Sequence, residues 1–141
     1  MMTRRSLMAL VLAAGTALPL SAAEPEMIDY RPGLVTERLV AGETVFLDFS
    51  AVWCTTCKAQ ERVIDALQQE NPAYVEAVTF VRVDWDEYRG ADITRRLNIP
   101  RRSTLVVLKG EEELGRIVAG TSRRQIQGLM DAALTAAQAG S

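Results

Sequence analysis

Cys54 and Cys57 are the only cysteines of the 141-residue chain, and two threonines separate them in the stretch AVWCTTCK. A pair with this spacing suits four kinds of chemistry: a structural disulfide, part of a metal site, a haem attachment or a redox couple. Haem attachment requires a histidine directly after the second cysteine, where the chain has Lys58, and the chain contains no histidine. The haem interpretation is therefore excluded.

The same pair is a weak candidate for a zinc site or a structural disulfide. Zinc takes about four nitrogen or sulfur ligands, and a single pair of cysteines supplies only half of them. A disulfide that closes so short a loop constrains the unfolded chain very little. A redox couple remains, together with a copper(I) site made by two soft thiolates.

The predicted position of Cys54 at the start of a helix favours the redox couple. The apolar stretch VFLDFS predicts a strand that leads into a short loop, and helical spacing begins at Cys54. A sulfur at a helix N-terminus lies near unpaired N–H groups and the positive end of the helix dipole, and both favour the thiolate. Cys54 is thus the predicted nucleophile, and Cys57, one turn further on, is the predicted resolving thiol.

Asp48 is the one charged residue of this strand. An unpaired carboxylate among apolar side chains costs free energy, so two interpretations stay open. Asp48 either faces water at the edge of the strand, or it is a buried acid whose pKa burial raises and which shuttles the proton of Cys57.

The remaining sequence predicts the elements that position these residues. Two strand–helix units followed by a hairpin and a last helix predict an α/β fold, with a mixed central sheet flanked by helices on both faces. The predicted strands are ETVFLDFSA, VTFVRVDW, STLVVLKG and ELGRIVAG; the predicted helices are LVTERLVAG, the stretch from Cys54 to near Asn71, EYRGADITRRLNI and TSRRQIQGLMDAALTAAQ, the last with a Thr or Ser cap. EPEMIDYRPG is predicted to be an extended lead-in.

The N-terminal stretch has the three-part layout of a secretory signal. Arg4 and Arg5 precede an apolar run of about 14 residues, too short to span a bilayer, and Ser-Ala-Ala ends at residue 23. We expect residues 1–23 to be a signal peptide and residues 24–141 to be one domain. The two arginines leave both the general and the twin-arginine export routes open.

Composition and charge indicate a soluble globular protein without a nucleic-acid partner. Hydrophobic residues make up 48% of the chain and charged residues 24%, as in soluble globular proteins. Loss of the signal removes two arginines and no acidic residue, so the net charge moves from −2 to −4, which argues against nucleic acid as a partner. We expect a periplasmic mature protein that is not embedded in the membrane, in an oxidising compartment where disulfides persist.

The segment VFLDFSAVWCTTCK resembles the active-site segment of the thioredoxin family, in which an acid-bearing strand leads into Trp-Cys-x-x-Cys-Lys. Asp48 stands six residues before Cys54, which is the family interval. The resemblance runs from about Thr36 to Ala137 and is closest to exported thioredoxin-like proteins, above all the periplasmic reducing domain of DsbD-type interchange proteins. It implies a thioredoxin-like fold without a cofactor, a Cys54–Cys57 disulfide, Asp48 as the buried acid and Trp53 beside the nucleophile.

Two further positions carry over from this resemblance. VRVDWDE resembles the family strand that usually carries a lysine near the buried acid, so Arg82 takes the place of that lysine. Gly120, before the last helix, matches a glycine that flanks the site.

One position departs from the family pattern. The family places a cis-proline opposite the cysteines; read without gaps, LNIPRRSTLVVL puts Ser103 there, and the alternative is Pro100 with a three-residue insertion. We expect a trans Arg102–Ser103 bond, a differently shaped docking edge and sulfurs that are more open to a metal or a bulky partner. Arg102, Ser103 and Trp53 are the predicted substrate-binding residues. Arg101 and Arg102 are either solvated loop residues or contacts for an acidic partner.

The predicted activity is disulfide reduction. Thr55 and Thr56 bring no cation to the thiolate, and a less stabilised thiolate makes a more reducing couple. The substrates are expected to be protein thiols and disulfides, and the electrons to come from a membrane or thiol donor. The alternative is a copper(I) carrier that uses the same two thiolates.

Overall fold

A five-stranded mixed sheet forms the centre of the protein, seen in a computed structural model that describes Gly15 and residues 26–140. The strands lie in the order β1-β3-β2-β4-β5; they are β1 (Ile28–Asp29), β2 (Thr44–Ser50), β3 (Val78–Asp84), β4 (Thr104–Lys109) and β5 (Glu112–Val118). β3 pairs in parallel with β1 and β2, whereas the β2–β4 and β4–β5 pairs are antiparallel. The mixed sheet is thus confirmed, and the predicted signal peptide lies outside the described residues apart from Gly15.

Six helices accompany the sheet in the described part of the chain: α1 (Leu34–Val40), α2 (Thr55–Glu70), α3 (Ala73–Ala77), α4 (Trp85–Tyr88), α5 (Asp92–Arg96) and α6 (Arg123–Ala139). Ser122 caps α6 as predicted, because its hydroxyl accepts a hydrogen bond from the Gln125 N–H. None of the helices in the described residues is long and apolar enough to cross a membrane.

One local prediction is wrong, and a second gains detail. The stretch EYRGADITRRLNI was predicted as one helix, but the backbone is extended at Ala91 and divides it into α4 and α5. The lead-in EPEMIDYRPG contains a short strand, β1, which pairs with Val81 and Arg82 of β3. Neither feature has the length that gives a clear periodic signal.

Apolar side chains cover both faces of the sheet. On one face Phe46, Phe80 and Leu105 pack against α2, α3 and α6, and on the other Leu47, Val81 and Val106 pack against α1 and α5; helices on both faces are therefore confirmed. Every residue of β2 is buried, because this strand is central and covered on both sides. Side chains alternate along a strand, so Asp48 points to the same face as Phe46, the face that α2 covers.

The two edges of the sheet differ from its centre. β1 contributes two residues only. β5, at the opposite edge, exposes Glu112 and Glu113, and its pairing with β4 is irregular between Val107 and Leu108.

Candidate active site

Cys54 and Cys57 form a disulfide at the N-terminus of α2, with their Cα atoms 5.3 Å apart. Cys54 is the N-cap residue, and its Sγ accepts a hydrogen bond of 3.1 Å from the Cys57 N–H. The loop before it closes with a 3.1 Å hydrogen bond from the Cys54 N–H to the Ala51 carbonyl. The structure thus places the predicted nucleophile where the helix dipole and a backbone donor both favour a thiolate.

Ser103, and not Pro100, faces the cysteine pair. Its Oγ lies 3.2 Å from the Cys54 Sγ and 3.1 Å from the Cys57 Sγ, while Pro100 is exposed. The described residues contain no cis peptide bond, so the Arg102–Ser103 bond is trans as expected. Ser103 itself is fully buried, which brings a hydroxyl into an otherwise apolar contact with the sulfurs.

The expectation that Ser103 leaves the sulfurs more open is wrong. Cys54 is 3% exposed and Cys57 0%, because Ser103 itself covers both sulfurs and Ala51 packs beside them. The copper(I) alternative depended on that opening and loses its support. In the described part of the chain, no group of three or more His, Cys, Asp or Glu side chains could hold a metal ion.

Asp48 is fully buried, and neither of its oxygens has a hydrogen-bond partner among the described residues. Burial raises the pKa of this carboxyl well above its ordinary range, and the negative charge of Glu61 raises it further. Asp65 adds a smaller increase, and the positive Arg82 opposes these increases. The structure therefore places Asp48 as a buried acid under α2 rather than at the edge of a strand.

Glu61 connects this buried acid with the surface. Its Oε1 accepts hydrogen bonds from the Ser50 hydroxyl at 2.9 Å and from the Arg82 Nε at 3.2 Å. A cavity of about 570 Å³ lies at the carboxyl ends of β2 and β3, and its lining includes Ser50, Lys58, Glu61 and Arg82. Asp48 is not part of this lining. Arg82 is thus the cross-strand neighbour of Asp48 and forms an ion pair with Glu61, in agreement with its predicted place near the acid.

The sequence reasoning missed Glu61 and Gln60. Both lie one helical turn after Cys57, and a polar Gln60 within the buried stripe of α2 was the available signal. The Gln60 Nε2 donates two hydrogen bonds of 3.0 Å, to the carbonyls of Ser103 and Gly120. Gln60 therefore ties the cysteine helix to the two loops that flank the disulfide.

An exposed Trp53 and a half-buried Arg102 form the outer side of the site. Trp53 is 54% exposed, and its Nε1 donates to the Asp86 carboxylate at 2.9 Å. The Arg102 guanidinium carbon lies 4.4 Å from the centre of the indole ring, within the range of a cation–π contact. Arg101 instead turns back, and its Nε donates to the Arg102 carbonyl at 3.0 Å.

Solved thioredoxins share this architecture. The thioredoxin of Malassezia sympodialis, Mala s 13, superposes with a TM-score of 0.68 at 23% identity, over 82% of this chain and 96% of that one. NaTrxh from Nicotiana alata has a TM-score of 0.59 at 26% identity, over 77% and 93% of the two chains. These matches define the class of the fold as thioredoxin-like.

The sequence comparison leads to the family itself. The thioredoxin family model matches residues 35–132, so the chain belongs to the thioredoxin family. Thioredoxin H2-1 of Oryza sativa subsp. japonica is 39% identical over 74 residues, which are 52% of this chain and 49% of that protein. Thioredoxin H5 of the same plant is 33% identical over 79 residues, 56% and 54% of the two chains, so the chain spans about half the length of these curated relatives.

Proposed function

We propose that this protein is an exported thiol–disulfide oxidoreductase that acts mainly as a reductase of protein disulfides. The observation that carries the proposal is the Cys54–Cys57 pair at a helix N-terminus, on a strand–helix unit with a fully buried carboxyl. Membership of the thioredoxin family supports the same chemistry.

In the proposed cycle the Cys54 thiolate attacks one sulfur of a substrate disulfide, and the other substrate sulfur leaves as a thiolate, which takes a proton from solvent. Cys57 then loses its proton and attacks the Cys54 sulfur of the mixed disulfide, which releases the second substrate sulfur as a thiolate that is protonated from solvent. The substrate gains two electrons and two protons, and the protein is left with the Cys54–Cys57 disulfide. A membrane or thiol donor restores the dithiol.

Asp48 takes the proton of Cys57 in this scheme. A carboxyl with a raised pKa is better matched to a thiol than an ordinary aspartate is. Glu61 lies between the acid and the open cavity, so it passes the proton on to solvent. Trp53 and Arg102 contact the substrate segment next to the attacked disulfide.

The reducing direction is tested by titration of the protein with glutathione. No cationic side chain stands between the cysteines, so we expect a potential nearer about −270 mV than about −120 mV, with reduction of insulin disulfides. A Cys54→Ser, Cys57→Ser double variant is the control. A potential above about −150 mV would contradict the assignment as a reductase.

The exported location is tested separately. The resemblance to the periplasmic reducing domain of DsbD-type proteins and the layout of residues 1–23 support it. When the whole chain is expressed in a Gram-negative host, we expect a periplasmic product that begins at Glu24. An uncleaved product in the cytoplasmic fraction would refute export and leave the redox chemistry untouched.

A further inference from the structure

The Ser103 hydroxyl is the donor in its contacts with the two sulfurs. Both cysteines are in the disulfide, so neither sulfur carries a hydrogen, and the hydrogen between Oγ and sulfur must belong to Ser103. The two distances, 3.2 and 3.1 Å, are nearly equal, so the hydroxyl can turn from one sulfur to the other. A buried hydroxyl thus lies where negative charge develops during exchange.

We propose that Ser103 is a catalytic residue of the redox couple, whose hydroxyl donates a hydrogen bond to the Cys54 thiolate and so favours the reduced, ionised state. The inference rests on the proposed function and deepens it. A thiolate accepts a hydrogen bond far more strongly than a disulfide sulfur does, because the bond is charge-assisted. The same contact therefore contributes little to the oxidised protein and much more to the reduced one.

The backbone around Ser103 holds the hydroxyl in place. Ser103 has a φ of 63°, its N–H donates to the Phe49 carbonyl at 2.8 Å, and its carbonyl accepts from the Ala119 N–H at 2.8 Å. Gln60 adds a third hydrogen bond, to the same carbonyl at 3.0 Å. A proline cannot adopt this φ and has no N–H for Phe49, so this backbone excludes the family residue and presents a donor instead.

The test compares Ser103→Ala with Ser103→Gly in the full chain. Both remove the hydroxyl; alanine keeps the strain that serine already carries at positive φ, whereas glycine relieves it, so an effect common to both variants reports the hydroxyl and not the strain. Two quantities are measured: the pH midpoint of the Cys54 thiolate absorbance at 240 nm in the reduced protein, and the equilibrium constant with glutathione.

We expect both variants to give about a tenfold smaller thiolate fraction below the midpoint, the factor for the loss of one charge-assisted hydrogen bond. Both should also hold the disulfide form about tenfold more firmly against glutathione. Every variant keeps the charged groups on the surrounding elements, so the change in midpoint and equilibrium constant reports the loss of the hydroxyl. These charged groups are Asp48, Lys58, Glu61, Asp84, Asp86 and Arg102.

Each outcome decides the proposal. An unchanged midpoint in both variants overturns it, and so does a change in Ser103→Gly alone, because that change would follow the relief of backbone strain. A wild-type protein that fails to exchange with glutathione would refute the proposed function instead, while the 240 nm titration still decides the role of Ser103.

Gln60 is a positioning residue that acts through Ser103. Gln60→Met removes the two amide donors and keeps a side chain of similar length. It should reduce the thiolate fraction by about threefold in the wild type and not at all in Ser103→Ala, since it acts through Ser103. An equal effect in both backgrounds would show that Gln60 acts independently of the hydroxyl.

Discussion

The cysteine segment, residues 48–58, and the serine loop, residues 97–103, meet at the same two sulfurs and are built in different ways. The cysteine segment is the end of a central strand, one turn and a capped helix. The serine loop has no helix or strand after Arg96 and contains two residues in the left-handed region, Asn98 at 51° and Ser103 at 63°. Arg116 of β5 holds its beginning by a 2.7 Å hydrogen bond to the Leu97 carbonyl.

This difference separates two tasks. Regular elements fix the reactive atoms, because a strand end and a helix N-terminus give a cysteine its direction and its electrostatics. The irregular loop adds a hydroxyl that adjusts those atoms, and tertiary hydrogen bonds hold it against the cost of a left-handed serine. Changes in the cysteine segment should therefore affect whether exchange occurs, and changes in the loop should affect its equilibrium.

The largest effect is expected from the cysteines themselves. Cys54→Ser should lower insulin reduction to the uncatalysed rate, because no nucleophile remains. Cys57→Ala should instead accumulate a mixed disulfide between Cys54 and the substrate, visible by mass spectrometry of the complex. An equal yield of mixed disulfide through Cys57 in a Cys54→Ala variant would contradict the assigned roles.

Asp48→Asn is expected to have the next largest effect, about a hundredfold slower resolution of the mixed disulfide at pH 7. The free energy of unfolding, by contrast, should increase in this variant. Because the folded protein raises the pKa of Asp48, wild-type stability is lost as the pH rises from the ordinary aspartate value through the raised one. The variant should lack this loss and be about 1–3 kcal/mol more stable at pH 8 by urea denaturation, whereas the surface variant Asp92→Asn should not.

Ser103→Pro breaks the serine loop rather than the cysteine segment. Loss of the N–H bond to Phe49 and an incompatible φ should lower the free energy of unfolding by about 2 kcal/mol. Ser103→Gly is the matched control and should keep the wild-type stability or exceed it. Equal stability of the proline variant would show that the left-handed backbone is not required.

Glu61→Gln tests how the charge of Glu61 controls the pKa of Asp48. Without the charge of Glu61, the largest electrostatic increase is lost while Arg82 still lowers the pKa of Asp48, so this pKa should fall. The pH profile of the resolution step should move to lower pH, with about a threefold change in rate at pH 7. Carbon-13 NMR of the Asp48 carboxyl measures the direction, and an upward change would contradict the assigned electrostatics.

Arg102→Ala should have the smallest effect, because its contact with Trp53 is partly solvated. For a peptide disulfide flanked by glutamates we expect KM to rise about threefold with kcat unchanged, and for one flanked by lysines we expect no rise. Arg96→Ala removes an equal charge from a neighbouring helix and serves as the control. The same rise for both peptides would exclude recognition of acidic segments.

The cysteine segment could be predicted from the sequence, and the serine loop only in part. A buried strand, a helix start and the spacing of Asp48, Cys54 and Cys57 are local signals that tertiary structure does not alter. The absence of proline at Ser103 was visible, but its left-handed φ depends on partners far along the chain, Phe49, Gln60 and Ala119. The sequence alone therefore predicts open sulfurs, whereas in the structure Ser103 covers them.

The edges of the sheet bear on how the protein behaves when it is concentrated. An edge strand with free N–H and C=O groups is a template for fibril growth. Here one edge is only two residues long, and the other exposes two glutamates beside an irregular pairing, so neither offers a long flat surface to a second chain. Both edges are therefore poor templates for strand addition by a second copy of the chain.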